Sequence, residues 1–218
     1  MRETLGLLCS CWDDPRGIMR MFEQETIKDF DFLMFFDGKY SQWEGVEEFP
    51  VDETRNVVKD FGDTNPDLSI YYENVEGKTE AMKRSHMFKV ALDYGIDWVL
   101  VMDSDEIPKI DKHEWNIERT ELGKSKYGCF GIESVGIDGV FRRIPRLYNM
   151  REEPYLIQNE FTTSHNHIYS ALDGRNLPVD ITEKPEYTVR SITSLHDKML
   201  HTDQRFKDRF RYGAIKNH

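Results

Sequence analysis

Three carboxylates within four residues follow an unbroken apolar stretch in the middle of the chain. Asp103, Asp105 and Glu106 come directly after Trp98–Met102, and Ser104 lies between the two aspartates. An apolar run of this kind is typical of a strand buried on both faces in a parallel sheet. If the strand continues past its apolar run, the two aspartates share a face, because alternate side chains of a strand do. Paired carboxylates suit a hard divalent cation, so the pattern predicts a Mn²⁺ or Mg²⁺ site.

The first half of the chain alternates short apolar runs with helical patterns. Leu5–Cys11 and Phe32–Phe36 predict buried strands, and Asp14 followed by proline supplies a cap and a first-turn residue for a helix between them. A short helix near 52–61, a strand over 68–72 and a helix over 79–94 ended by Gly95 follow. Repeated strand-then-helix steps predict an α/β sheet, and such sheets bind ligands at the carboxyl ends of their strands.

The second half of the chain has a different pattern. Strands are predicted over 127–135 and 140–148, joined by a Gly-rich hairpin-type connection, and residues 155–169 are predicted to be extended. Phe206 and Phe210 share one face of a final helix predicted over 203–212, and residues 184–218 hold eight Lys or Arg against four Asp or Glu. This half is therefore predicted to be β-rich, with a basic C-terminal helix that faces phosphates or another anionic surface.

Length and composition limit the class of protein. The 218 residues fit one domain, with about 1–110 as one half and about 111–218 as the other. A formal net charge of −11 argues against nucleic acid as a partner. Three cysteines form neither a disulfide framework nor a zinc set, and no apolar run has the length of a transmembrane helix. We therefore expect a soluble, cytoplasmic protein without a transmembrane segment.

Two other motifs in the chain are related to phosphate chemistry. Gly77-Lys78-Thr79 precedes a helix, but a P-loop requires a glycine where this chain has Tyr72, so Thr79 is predicted to be a helix cap. The acidic motif also resembles that of aspartate-nucleophile phosphatases, although Ile107 stands where that family has Thr or Val. A phosphatase or another phosphoryl-transfer enzyme stays open as an alternative.

The block from Lys83-Arg84 through Glu106 resembles the helix, glycine, strand and D-x-D-E block of the GT-A nucleotide-sugar-dependent glycosyltransferases, especially the inverting family-two-like members. The resemblance covers about residues 5–110 and implies a Rossmann-like mixed sheet flanked by helices. It also implies that Cys11, Trp12 and Asp37 hold the nucleotide base, although the family's longer Asp-Asp-Gly-Ser pattern is reduced here to Asp37-Gly38.

The same resemblance assigns roles around the acidic motif. It implies that Asp105 binds the metal ion, that Asp103 contacts the ribose or the metal with Ser104 beside the nucleotide sugar, and that Glu106 supports them. His196 matches a late histidine that the family places near the metal or diphosphate. Lys83 and Arg84 either reach the diphosphate or form a solvated basic helix face.

The acceptor side is predicted from the β-rich half. An inverting transferase needs a general base, for which Glu160 is the first candidate and Asp138 the second. His165 and His167 alternate along a predicted strand and therefore share a face, where they are candidates for the acceptor site. The sequence thus predicts a metal-dependent transferase that moves a sugar from a UDP- or GDP-sugar to an unknown glycan, lipid or protein. A non-catalytic nucleotide-sugar-binding domain is the other alternative.

Overall fold

The computed structural model of this chain describes residues 3–38, 53–75, 79–125, 128–136, 139, 141–152, 154–156, 168–170, 179–180 and 188–196. None of the helices in these ranges combines the length and apolarity needed to span a bilayer. The strands are β1 Leu5–Cys11, β2 Phe32–Asp37, β3 Ser69–Asn74, β4 Trp98–Asp103, β5 Glu106–Ile110, β6 Cys129–Gly136, β7 Phe141–Asn149, β8 Pro154–Leu156, β9 Ile168–Ser170, β10 Val179–Asp180 and β11 Thr188–His196. The α-helices are α1 Pro15–Phe22, α2 Glu53–Thr64, α3 Glu80–Asp93 and α4 Lys112–Leu122, and short 3-10 helices cover Glu25–Asp29 and Met150–Glu152.

A mixed sheet of eight strands, in the order β3-β2-β1-β4-β7-β6-β11-β5, forms the centre of the described fold. The first four strands in that order are parallel, β7 is antiparallel to β4 and β6, and β5 is antiparallel to β11. Strands β8, β9 and β10 form a separate antiparallel sheet. The α/β class and the β-rich second half predicted from the sequence are therefore confirmed.

Apolar residues on both faces of the sheet explain its position at the centre. All seven residues of β1 are buried, as are the first five of β4. Alternate residues belong to opposite cores, so that Leu7 and Leu100 pack on one face while Leu8 and Val101 pack on the other. Such continuous apolar runs suit strands that are covered on both sides.

The ends of two predicted helices have the capping contacts expected from their sequences. The Asp14 carboxylate accepts a hydrogen bond from the Gly17 amide at the start of α1, and the Thr79 hydroxyl accepts one from the Met82 amide at the start of α3. Gly95, with a φ of +68°, follows α3 in the left-handed region, where a residue with a side chain would be strained. Local sequence signals therefore fix where these elements begin and end.

Several elements were not predicted from the sequence, among them β5, α4 and β11. Strand β5 follows β4 after a two-residue turn and contains Pro108, α4 intervenes before β6, and β11 returns between β6 and β5. Proline is unusual inside a sheet, but β5 is an edge strand, where proline is tolerated. The predicted C-terminal helix over 203–212 lies outside the described residues.

Candidate active site

The strand order places a topological switch point between β1 and β4. The chain passes from β1 to β2 and β3 on one side, and then returns through α3 to place β4 on the other side of β1. Open α/β sheets commonly bind ligands at such a point, beside the loops at the carboxyl ends of the two strands. The two loops are joined at this point, because the Ser104 hydroxyl donates a hydrogen bond of 2.6 Å to the Asp14 carboxylate.

The acidic motif forms a turn rather than an extension of β4. The strand ends at Asp103, and Ser104 and Asp105 form the turn that leads into β5. The alternation rule for strands therefore does not apply beyond Asp103. The two aspartates have different partners: Asp103 contacts two arginines, and Asp105 contacts a histidine.

Two guanidinium groups bind the Asp103 carboxylate. Arg84 of α3 donates to Oδ1 at 2.8 Å, and Arg146 of β7 donates to Oδ2 at 3.0 Å. Burial on its own would raise the pKa of Asp103, but the positive charges of the two arginines outweigh it and hold the pKa below its ordinary value. Asp103 is therefore a negatively charged carboxylate held between two arginines. These contacts fix the start of the turn.

Glu106 contacts the backbone of the turn and the Arg146 side chain. Its side chain is 2% exposed; one carboxylate oxygen accepts the Asp103 amide at 3.0 Å and the other accepts Arg146 at 2.8 Å. Burial raises the pKa of Glu106 above its ordinary value despite the nearby guanidinium. Arg146 was not identified from the sequence as a site residue. Its position directly before Leu147 and Tyr148, which are buried, could have indicated that its charge is also buried and needs an acidic partner.

Asp105 and His196 form the second contact of the motif. Asp105 Oδ2 and His196 Nε2 lie 2.8 Å apart, and their side chains are 14% and 22% exposed. His196 is the last residue of β11, where it pairs with Glu106 of β5 and Gly136 of β6. The sheet therefore brings together two residues, 91 positions apart in the chain, that the sequence predicts as metal ligands.

The chemistry of this pair fits a divalent cation. One carboxylate oxygen and one imidazole nitrogen are acceptable ligands for Mn²⁺, and cis ligands of an octahedral ion lie about 3 Å apart. Among the residues that the structure describes, no group of three or more His, Cys, Asp or Glu is assembled for a metal. From its described residues the protein would therefore supply two ligands, and phosphate oxygens and water are candidates for the others. The imidazole nitrogen must lose its proton before it can bind the ion.

Lys83 does not extend toward solvent. It is 1% exposed, and its ammonium donates to the carbonyl of Cys11 at 2.7 Å and to that of Gly38 at 3.0 Å. Burial lowers the pKa of Lys83 from its ordinary value. The alternative of a solvated basic face for Lys83 and Arg84 is wrong, because Arg84 is 12% exposed and is bound to Glu80 and Asp103.

Asp37 is a buried carboxylate at the end of β2. Its Oδ1 accepts the amides of Asp13 at 2.9 Å and Gly38 at 2.8 Å, and its Oδ2 accepts the Tyr72 hydroxyl at 3.0 Å. Cys11 is also buried, with its sulfur 3.6 Å from the Phe36 carbonyl, whereas Trp12 is half-buried. The residues predicted to hold the nucleotide base therefore lie together at the carboxyl ends of β1 and β2.

The remaining predicted site residues belong to the second half of the chain. Glu160, Asp138, His165 and His167 lie outside the described residues, as does the basic segment around Arg205, Arg209 and Arg211. Their roles as general base, acceptor contacts and phosphate-facing groups stay predictions.

Gly17 offers a test of how tightly α1 is packed against the acidic turn. A Cβ at this position would collide with the Ser104 carbonyl oxygen and lie 2.7 Å from Asp14 Oδ2. We expect Gly17→Ala to destabilise the fold by about 1 to 3 kcal/mol, because overpacking forces the turn or the helix to move. Urea unfolding measures this loss, with Gly62→Ala, where a Cβ meets only the end of Ile70, as the matched control. If Gly17→Ala were as stable as the parent, the acidic turn would be able to move away from α1 without a loss in the free energy of unfolding.

Comparison with known proteins gives no family for this chain. No family model matches it, and no curated protein matches it. Solved structures with a similar arrangement do exist. The first 349 residues of TarS from S. aureus match with 14% identity and a TM-score of 0.46, over 71% of this chain and 50% of that one. The present chain therefore spans about half the length of that structure.

Two further structures match over nearly the whole chain. The same part of S. aureus TarS in complex with UDP has 12% identity and a TM-score of 0.48, over 98% of this chain and 65% of that one. A 4-diphosphocytidyl-2C-methyl-D-erythritol synthase from Anaerococcus prevotii has 10% identity and a TM-score of 0.48, over 99% of this chain and 97% of that one. These are likenesses of architecture at low identity.

Proposed function

We propose that the chain is a metal-dependent transferase that uses a nucleotide sugar as donor. The observation that carries this proposal is the Asp105–His196 pair at the turn after β4, 2.8 Å apart and partly open to solvent. A divalent cation bound there would neutralise charge on a diphosphate leaving group. Asp105 and His196 would hold that cation as protein ligands.

The groups around the pair have supporting tasks in this proposal. Arg84 and Arg146 fix Asp103 at the end of β4, and Glu106 holds the backbone amide of the same residue. The Asp14–Ser104 hydrogen bond keeps the β1 loop beside the turn. A rigid turn of this kind presents Asp105 without a loss of conformational entropy on binding.

The same contacts argue against the phosphatase alternative. A nucleophilic aspartate needs one oxygen free to attack phosphorus, whereas both oxygens of Asp103 accept hydrogen bonds from arginines. A guanidinium pair also lowers the pKa of this carboxyl, which weakens it as a nucleophile. We therefore favour Asp103 as an anchor rather than as an attacking group.

Donor turnover separates the functional classes. The purified protein is incubated with UDP- and GDP-sugars with and without Mn²⁺, and nucleoside diphosphate, inorganic phosphate and diphosphate are measured. A sugar transferase releases nucleoside diphosphate slowly in a metal-dependent reaction. Inorganic phosphate from generic esters would indicate a phosphatase, and nucleotide sugar made from nucleoside triphosphate and sugar phosphate would indicate a nucleotidyltransferase. Metal-dependent binding without any product would favour a non-catalytic binding domain.

The acceptor step is proposed to invert the sugar and to use Glu160 as general base, with Asp138 as the second candidate. Replacing a positioned base typically costs about 10² to 10⁴-fold in rate. We therefore expect Glu160→Gln to keep metal and donor binding but to lose at least about a hundredfold in transfer, measured once an acceptor is known. Asp93→Asn changes an exposed carboxylate and serves as the control. Transfer within a few fold of the parent would exclude Glu160 and direct the same test to Asp138.

A further inference from the structure

Strand β11 changes its register against one of its two neighbours. On the β6 side Val189 pairs with Ile132, and Thr193 pairs with the very next residue of β6, so residues 190–192 are an insertion into β11. We call these three residues the β11 bulge. On the β5 side, residues 192–196 pair without a shift of register. The bulge therefore decides which residues of β11 lie opposite the end of β6.

A carboxylate of α4 binds the backbone of the β11 bulge. Because a bulge interrupts the ladder, its amides need acceptors other than the neighbouring strand. Glu118 accepts the Arg190 amide at 3.1 Å and the Ser191 amide at 3.0 Å, and it also accepts the Ser191 hydroxyl at 2.6 Å. Ser191 is 2% exposed, so its polar groups have little access to water as an alternative partner. One side chain thus satisfies three donors of the bulge.

Glu118 belongs to a stretch of chain that is continuous with the acidic turn. Strand β5 follows the turn, and α4 follows β5 with Asp111 as its cap. Trp115 and Leu122, at i−3 and i+4 from Glu118, are buried, which places Glu118 beside the face of α4 that packs on the sheet. The contact therefore fixes the start of β11 against the same stretch that carries Asp105.

We propose that Glu118 is a positioning residue for the metal site, because it holds the β11 bulge and with it the register that places His196 beside Asp105. His196 is five positions after Ser191, about 16 Å along an extended strand. Loss of the three-residue bulge is a slip by an odd number of residues, and such a slip turns side chains to the other face of the sheet. His196 would then point away from Asp105. The inference rests on the proposed function, because that function gives the pair its role.

Glu118→Gln tests this contact without changing the size of the side chain. A glutamine presents N–H donors where the bulge also presents donors, so at least one of the contacts must break. We expect the imidazole nitrogen NMR signal of His196, identified by its absence in His196→Ala, to move toward its position in Asp105→Ala. This comparison is made without metal or nucleotide. Glu114→Gln alters an exposed glutamate of the same helix and should leave the signal unchanged.

Metal-dependent binding by the full chain gives the second measurement. In calorimetric titrations with UDP or GDP, we expect Glu118→Gln to reduce the gain in affinity from Mn²⁺ by about tenfold and to change binding without metal by less than about twofold. Urea unfolding measures the stability of the same variant. A glutamate that only stabilises the fold would lower the free energy of unfolding and leave both the His196 signal and the gain from Mn²⁺ unchanged. That result would overturn the inference.

Ser191→Ala is the second variant, which decides the question if Glu118→Gln does not fold. It removes the hydroxyl that donates to Glu118 and leaves the two amides in place. The His196 signal should move in the same direction by a smaller amount, and an unchanged signal would overturn the inference. If the wild-type chain gains no affinity from Mn²⁺, the proposed function fails instead. The NMR comparison then still shows whether Glu118 holds His196 beside Asp105.

Discussion

Arg146→Met should destabilise the protein by about 3 to 5 kcal/mol, because removing one partner of a buried ion pair leaves an uncompensated charge. The partner that suffers most is Glu106, whose side chain is 2% exposed and 2.8 Å from the guanidinium. Asp103 also loses one of its two arginines. Methionine keeps most of the volume of the arginine stem, so the loss reports the charge rather than a cavity. Urea unfolding at pH 7 measures this loss of stability.

The pH dependence of this effect has a definite sign. The folded-state pKa of Glu106 is already raised by burial, and loss of Arg146 removes the largest influence that lowers it. A carboxyl with a raised folded-state pKa favours folding below its ordinary pKa and loses that contribution as the pH rises through the raised value. The destabilisation in Arg146→Met should therefore be smallest near pH 4 and increase toward pH 7.

Arg151→Met is the matched control for this variant. Arg151 is 58% exposed, and its pair with Glu3 is at the surface, so its removal should cost less than about 1 kcal/mol. Two results would contradict the prediction: a loss of stability in Arg146→Met that is as small as in Arg151→Met, or a loss that is the same at pH 4 and pH 7. Either result would mean that Arg146 does not compensate the charge of Glu106 in the folded protein.

Replacing either proposed metal ligand should remove the effect of the metal on nucleotide binding. Asp105 and His196 are the two protein ligands in the proposed site, so Asp105→Ala and His196→Ala should each weaken Mn²⁺-dependent UDP or GDP binding by about 10²-fold or more, a loss of about 3 kcal/mol. Binding without metal should change little in either variant. Isothermal titration with and without Mn²⁺ separates the two contributions.

Exposed residues of the same types provide the controls for this experiment. Asp93→Ala and His113→Ala alter side chains at the surface of α3 and α4 and should bind as the parent does. If Asp105→Ala and His196→Ala retain the full effect of Mn²⁺, the cation binds elsewhere and the pair is a structural hydrogen bond.

Elements with strong local signals were predictable from the sequence. Strands β1, β2 and β4 follow from continuous apolar runs, and the start of α1 follows from Asp14 and Pro15, whose effects act within one turn. Strand β5 was missed because its apolar pattern is interrupted by Pro108 and by the exposed Lys109, which are typical of an edge strand rather than a central one.

Contacts between distant elements could not be predicted in the same way. Arg146 reaches Asp103 only because β7 lies antiparallel beside β4, and the two residues are 43 positions apart. The burial of Lys83 had a local signal, since Met87 and Val90 follow it at i+4 and i+7 on the buried face of α3. Its charge concealed that signal, because lysine is seldom buried. The separation of Asp103 from Asp105 depends on a turn whose shape is set by Glu106 and Arg146.

Calorimetric titration of the wild-type chain with UDP and GDP, in parallel with and without Mn²⁺, tests the central claim most directly. A divalent site at Asp105 and His196 that binds the donor diphosphate predicts that at least one of the two nucleotides binds about a hundredfold or more tightly with the metal. Equal affinity with and without Mn²⁺, or no binding of either nucleotide at millimolar concentration, would contradict it.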